Sequence, residues 1–127
     1  MNPPLRGRRI LVTRPAAQAA TLAAMIAERG GEVICFPLLE IGPFEDEQPL
    51  RAAAAGLDDY ALAIFISPNA VDYGLPALVA QRAWPSALQA AAIGPGTVAA
   101  LAARGVADVI VPRERFDSEA LLALPAF

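Results

Sequence analysis

A chain of 127 residues has room for one compact domain with a real core. It contains no histidine and a single cysteine, which excludes an internal disulfide, a Ser-His or Cys-His catalytic pair and the commonest metal ligand. The net charge of −3, with no arginine-rich stripe beyond the N-terminus, speaks against non-specific nucleic-acid binding, although a helix start or one arginine is enough to hold a small anion.

Alanine supplies much of the 56% hydrophobic fraction. The longest strongly apolar run, 61–66, falls far short of the roughly 20 residues that span a bilayer. Arg6, Arg8 and Arg9 precede only three apolar residues, which is not a signal-peptide pattern. These features predict a soluble, cytoplasmic protein without a membrane partner.

The β-branched run over 10–13 predicts a first strand, ended by Pro15. Leu22, Met25 and Ile26 recur at helical spacing and predict a helix over 17–29, stopped by Gly30-Gly31. "EVICFP" reads as a second strand closed by Pro37, with Cys35 as a quiet core thiol. Residues 38–49 break the rhythm with prolines, a glycine and the acidic run Glu45-Asp46-Glu47. They read as a solvated connection with a short extended piece at 39–41.

Beyond it the pattern resumes: helix 50–56, strand 61–66, helix 69–83, strand 90–93, helix 97–104, strand 108–111 and a last helix from 118 to 124. Tyr60 and Trp84 are expected at the edges of the core. Strands alternating with helices imply an α/β fold with a flavodoxin-like parallel sheet covered by helices on both faces. In such sheets ligands sit beyond the C-terminal ends of the strands, so the polar residues there carry the functional expectation.

Three strand ends qualify. Thr13-Arg14-Pro15 opens the first helix, and Arg14 reads either as a ligand-pairing guanidinium or as a surface partner of Glu40. At Ser67-Pro68-Asn69, one reading makes Ser67 the helix cap with Pro68 at the first helical position. The other makes Asn69 the cap, with Asp72 as the acid of a capping box. Either leaves backbone N–H groups at the sheet edge for a carboxylate or phosphate.

The third end, "IGPGTVA", matches G-x-G-x-x-A after a strand, with Glu114 twenty residues past Gly94. Pro95 inside the turn and the short helix count against pyrophosphate wrapping. A close backbone approach at Gly94 and Gly96, with Thr97 as cap or hydroxyl donor, is the simpler reading.

Taken in order, "ILVTRP", "GGEVICFPLLEI", "IFISPNAV", "AAIGPGTVAAL" and "FDSEALL" resemble uroporphyrinogen-III synthase over nearly the whole chain from Ile10 onward. Members of that family are roughly twice this length, with two α/β domains joined by a two-stranded connector. The resemblance therefore implies residues 1–36 as the first βαβ unit of one incomplete domain, 37–49 as connector, and 50–127 as the start of an incomplete second domain. It implies that the C-terminal half of the same chain is missing, that this segment alone is inactive, and that its exposed sheet edges favour self-association.

The family's reaction is cyclisation of the linear tetrapyrrole hydroxymethylbilane, with inversion of its last ring and loss of water, and it uses no cofactor or metal. The resemblance implies a substrate rich in carboxylates, held in a cleft between domains largely by backbone N–H groups at strand-to-helix turns. Thr13, Arg14, Ser67, Asn69, Gly94, Gly96 and Thr97 are the expected substrate-binding residues. The family's most implicated tyrosine belongs to the missing half, so no general acid is assigned, and Tyr60 and Tyr73 do not replace it. A non-enzymatic anion-binding or nucleotide-binding α/β module is the alternative.

Overall fold

The computed structural model describes residues 2–127. The chain divides into two compact units, the first running to Gly42 and the second spanning Pro43–Phe127. Each is a small parallel α/β arrangement.

In the first unit β1 (Arg9–Val12) and β2 (Glu32–Cys35) pair in parallel, with Ile10 opposite Val33 and Val12 opposite Cys35. They are joined by α1 (Ala16–Glu28). Alternation along the strand puts Ile10 and Val12 on one face, where they meet Ala19 and Ile26 of α1 and Val33. The crossover ends where the glycines allow it. Gly30 adopts φ +81°, and its neighbour Gly31 sits so close to Ile26 that a Cβ would lie 2.7 Å from Cγ2 of that side chain.

One helix covers one face, so Leu11 and Phe36 are exposed at 56% and 57%. Cys35 is exposed as well, which overturns its expected place in the core. It ends a strand in a two-stranded sheet, where nothing closes over it. The extended piece expected at 39–41 forms no strand.

The second unit begins with α2 (Gln48–Ala55), whose entry is held by the Asp46 carboxylate accepting from the Gln48 N–H at 2.8 Å. A single 3-10 turn follows at Leu57–Asp59. β3 (Leu62–Phe65) and β4 (Gln89–Ala92) pair in parallel, with Phe65 opposite Ala92. The helices α3 (Pro68–Leu78), α4 (Pro95–Ala102) and α5 (Ser118–Leu122) complete it.

Phe65, Ala90 and Ala92 face Val71 and Leu75 of α3, Leu101 of α4 and Val106. Burying each such large aliphatic side chain contributes about 1.5–3 kcal/mol before entropy is counted. The other face is not helix-covered throughout: Ile64 and Ile66 remain 48% and 73% exposed, against the expectation of a sheet covered on both sides.

Two further boundaries differ from expectation. The strand expected at 108–111 is reduced to one parallel bridge between Ala91 and Ile110. Ile110 donates to Ala90 O at 2.9 Å and accepts from Ala92 N at 2.8 Å. The next rung would need an N–H at residue 112, which is proline, and Asp108 on the other side takes φ 56°.

Helix α3 stops at Leu78 instead of continuing to 83: Val79 is its C-cap at φ −107°, and Arg82 beyond it pairs with Asp58 at 2.5 Å. Beyond it Trp84 turns in, donating to Leu88 O at 2.9 Å with its ring 6.2 Å from that of Phe65. Tyr60, expected at a core edge, is instead 52% exposed.

Candidate functional site

Parallel pairing of β3 with β4 in register brings the turns after them side by side. At the first turn Ser67 has an extended backbone, φ −160° and ψ 162°, and its Oγ accepts from Ala70 N at 3.1 Å. Ser67 is therefore the N-cap and Pro68 the first helical residue, where its missing N–H is harmless. Asp72 is not the acid of a capping box: it pairs with Arg104 at 3.0 Å. Asn69 follows in the first turn, half-buried.

At the second turn Gly94 is the N-cap, extended at φ −148°, and no side chain caps the helix. Pro95 brings no N–H. Thr97 N and Val98 N both donate to Gly94 O at 3.2 Å, which leaves the Gly96 N–H without a backbone acceptor among the described residues.

The two turns touch across Gly96, where a Cβ would stand 3.7 Å from Cγ of Pro68. Neither glycine is required by the protein's own packing. Gly94 and Gly96 both avoid the left-handed region, and the nearest atoms to an added Cβ are at ordinary contact distance. Thr97 does not cap. It lies in the first turn of α4 at 3% exposure, a buried polar side chain at the root of the turn.

Phe116 stands beside Gly94: a Cβ at Gly94 would lie 3.7 Å from Cβ of Phe116 and 3.8 Å from its Cγ. The residue is nevertheless 54% exposed. Next to it Asp117 caps α5 by accepting from Ala120 N at 2.8 Å and pairs with Arg115 at 2.5 Å. The Ala120 N–H, and after it the Arg115 guanidinium, hold the Asp117 carboxyl below its ordinary value.

Sequence reasoning passed over Phe116. Its only local signal is a large apolar residue isolated among charges in "RERFDSE".

Thr13 and Arg14 belong to the first unit, at the C-terminal end of β1. Both are exposed, and Thr13 O accepts from Leu38 N at 3.2 Å. Among the described residues Arg14 has no ion-pair partner, so the pairing with Glu40 is not formed. Helix α1 starts after Pro15 with no side-chain cap, and the N–H groups of Ala16 and Ala17 find no backbone acceptor among the described residues.

The candidate residues thus fall into two groups: Ser67, Asn69, Gly94, Gly96 and Thr97 around the paired turns of the second unit, and Thr13 with Arg14 in the first.

Elsewhere a groove of about 860 Å³ runs between α2 and the C-terminal end of α3, lined by Leu50, Arg51, Pro76 and Arg82 among others. None of the candidate residues borders it. Among the described residues no set of three or more Cys, Asp or Glu side chains converges to hold a metal ion, and no helix is long and apolar enough to cross a membrane.

Parallel strands followed by helices that start at the C-terminal sheet edge, with the Gly96, Ala16 and Ala17 N–H groups left without a backbone acceptor among the described residues, define an open α/β protein. Within that class, the chain belongs to the family of uroporphyrinogen-III synthase HemD, whose model matches residues 20–126. The paired turns of the second unit lie inside the matched segment, while Thr13 and Arg14 precede it.

The chain is 39% identical over 123 residues to the uroporphyrinogen-III synthase of Synechococcus elongatus, a match covering 94% of this chain and 46% of that protein. It is 33% identical over 117 residues to the uroporphyrinogen-III synthase of Escherichia coli, covering 91% of this chain and 48% of that one. It is also 31% identical over 71 residues to the porphyrin biosynthesis protein HemD of Ruminiclostridium josui, covering 56% of this chain and 14% of that one. The chain spans about half the length of the uroporphyrinogen-III synthases it matches.

Proposed function

We propose that this chain carries part of the substrate-binding machinery of a uroporphyrinogen-III synthase, which closes hydroxymethylbilane into uroporphyrinogen III with inversion of the last ring and loss of water. The observation that carries the reading is the juxtaposed pair of turns at Ser67 and Gly94, with the Gly96 N–H uncommitted, inside the segment matched by the family. The substrate is a chain of pyrroles bearing carboxylates, and such donors at helix starts suit carboxylates.

In the reaction the terminal hydroxyl leaves as water and an electron-rich pyrrole carbon attacks the carbon left behind. What this chain contributes is position. The Gly96 N–H takes a carboxylate oxygen, the Ser67 cap holds the neighbouring helix start rigid, and Asn69 and buried Thr97 shape the turns. On the first unit Arg14, with Thr13 and the α1 N–H groups, takes another carboxylate. Orientation of this kind supplies several kcal/mol of rate acceleration without a strong acid.

The finer architecture belongs to the same reading: flavodoxin-like units, residues 1–36 and 50–127 as parts of two domains, and 37–49 as their connector. The segment alone is inactive in it, since partner segments from the rest of a relative-length chain complete the sheets. Exposed Leu11, Phe36 and Ile66 then favour self-association of the isolated segment.

The test is titration of the isotopically labelled chain with uroporphyrinogen III, following amide resonances. Shifts at Gly96, Ala16 and Ala17, with no cyclisation of hydroxymethylbilane by this segment, are expected. Unmoved resonances at all three would overturn the binding reading, and formation of the type III isomer would overturn the inactivity.

A further inference from the structure

Among the features that the binding reading does not use, the exposed aromatic ring beside the second turn goes furthest. Phe116 is a large apolar residue in a charged segment, flanked by Arg115 and Asp117, and is 54% exposed. It is held in place from behind. Asp117, the next residue, is fixed by Ala120 N at 2.8 Å and by Arg115 at 2.5 Å, so the backbone under Phe116 is anchored to the start of α5.

It stands beside Gly94, the N-cap of α4, where an added Cβ would lie 3.7 Å from Cβ of Phe116. A side chain at Gly94 would be tolerated by the protein itself, at 3.7 Å from Phe116, so Gly94 presents bare backbone next to that side chain, with exposed Pro95 and Gly96 following it. An aromatic side chain, the bare backbone of Gly94 beside it and the uncommitted Gly96 N–H together fit a flat ring that carries an anionic arm.

We infer that Phe116 is a substrate-contacting residue, the shelf on which one pyrrole ring of the substrate stacks while a carboxylate of the same ring reaches the Gly96 N–H. This inference rests on the binding reading above and adds to it a specificity for aromatic rings. Helix starts recognise any carboxylate. An aromatic shelf prefers a carboxylate attached to a planar, electron-rich ring, by offset stacking or edge-to-face contact.

For the cyclisation the shelf has a further use. Inversion demands that one ring be presented by a particular carbon, and a ring pinned on one face cannot rotate freely about its bridging bonds.

The experiment uses the whole 127-residue chain and two probes: a pyrrole bearing one acetate and one propionate arm, and glutarate, which has the carboxylates without the ring. Amide resonances of Gly96 and Ala70 report occupancy. The pyrrole C–H resonance reports the ring current of a stacked aromatic.

The wild-type chain is expected to bind both probes at Gly96, the pyrrole more tightly, with an upfield shift of its C–H resonance. Phe116→Leu is expected to weaken the pyrrole roughly threefold to tenfold and abolish the upfield shift, while glutarate binding stays unchanged. Phe116→Tyr restores both, and thermal melts of the variants confirm folding, since an exposed ring contributes little to the core.

If Phe116→Leu leaves pyrrole affinity and the ring-current shift intact while both probes still occupy Gly96, the shelf is refuted and the binding reading stands. If neither probe moves the Gly96 resonance, the binding reading falls and takes the shelf with it.

Discussion

Substituting Gly96 separates what the fold needs from what a ligand needs. Gly96 is the second residue of α4, in helical conformation, and glycine at a helical position is about 0.5–1 kcal/mol worse than alanine. The added Cβ meets its nearest neighbour, Cγ of Pro68, at 3.7 Å, an ordinary contact that adds no strain. Gly96→Ala should therefore stabilise the chain by roughly 0.5–1 kcal/mol, partly by restricting the unfolded chain. At this chain length that is a rise in Tm of about 2–4 °C.

Binding should move the other way. The methyl group would stand between the two turns, beside the N–H proposed to receive the carboxylate. Losing one hydrogen bond to a charged group amounts to roughly 1.5–3 kcal/mol, or about 10-fold to 150-fold in affinity. Thermal unfolding followed by circular dichroism, and titration of the pyrrole diacid followed at the Ala70 amide, measure the two effects. A variant that melts below the wild type, or that melts higher and binds the diacid unchanged, would refute the reasoning.

Other consequences follow from the same structure. Ser67→Ala removes the side-chain cap of α3 and should destabilise by about 1 kcal/mol, whereas Ser67→Asp should keep most of it, both read by denaturant midpoints. Leu101→Ala, at a fully buried position, should cost about 2–5 kcal/mol, while Ile66→Ala at 73% exposure should stay within about 0.5 kcal/mol. Equal losses at the two positions would contradict the one-sided core.

Asp117 is held below its ordinary value of 3.8 in the folded chain, so its contribution is present above that value and disappears as pH falls through the lower folded value. Asp117→Asn keeps a capping oxygen but loses the pairing with Arg115. The stability gap between the two proteins should be constant near neutrality and close as pH drops below about 4. A gap unchanged down to pH 2, measured by urea unfolding, would refute this.

The alternation of strand and helix was legible because punctuation and periodicity agree: Gly30-Gly31 stops α1, and Ser67-Pro68 starts α3 directly after an apolar run. Both features act within a few residues. What stayed hidden depends on distant partners. The helical pattern continues past Leu78, yet Arg82 and Trp84 leave it for Asp58 and for Leu88 with Phe65.

"ADVIVP" looks like a strand, but Pro112 can serve only as a strand's end, and the loss of one rung leaves a bridge. Cys35 sits in a strand that is apolar enough for a core, and its exposure follows from how few elements surround it. Family membership was legible from five short fragments in order. The place of Phe116 beside the second turn was not legible, because its neighbour Gly94 lies 22 residues away in the chain and is brought next to it only by the fold.

Prolines at the first helical position of α3 and α4 have a consequence for selectivity. Each removes one donor from its helix start, and at α4 the N–H groups of Thr97 and Val98 are already spent on Gly94 O. That helix therefore offers a single backbone donor, Gly96, where an ordinary helix start offers several. An isolated carboxylate gains one bond from it and little residence time. A molecule with many acidic arms on a semi-rigid frame gains by avidity, since each arm that docks raises the effective concentration of the next. In the proposed reading, recognition by sparse donors counts the arms of a ligand and so favours a polyacid over an acid with a single arm.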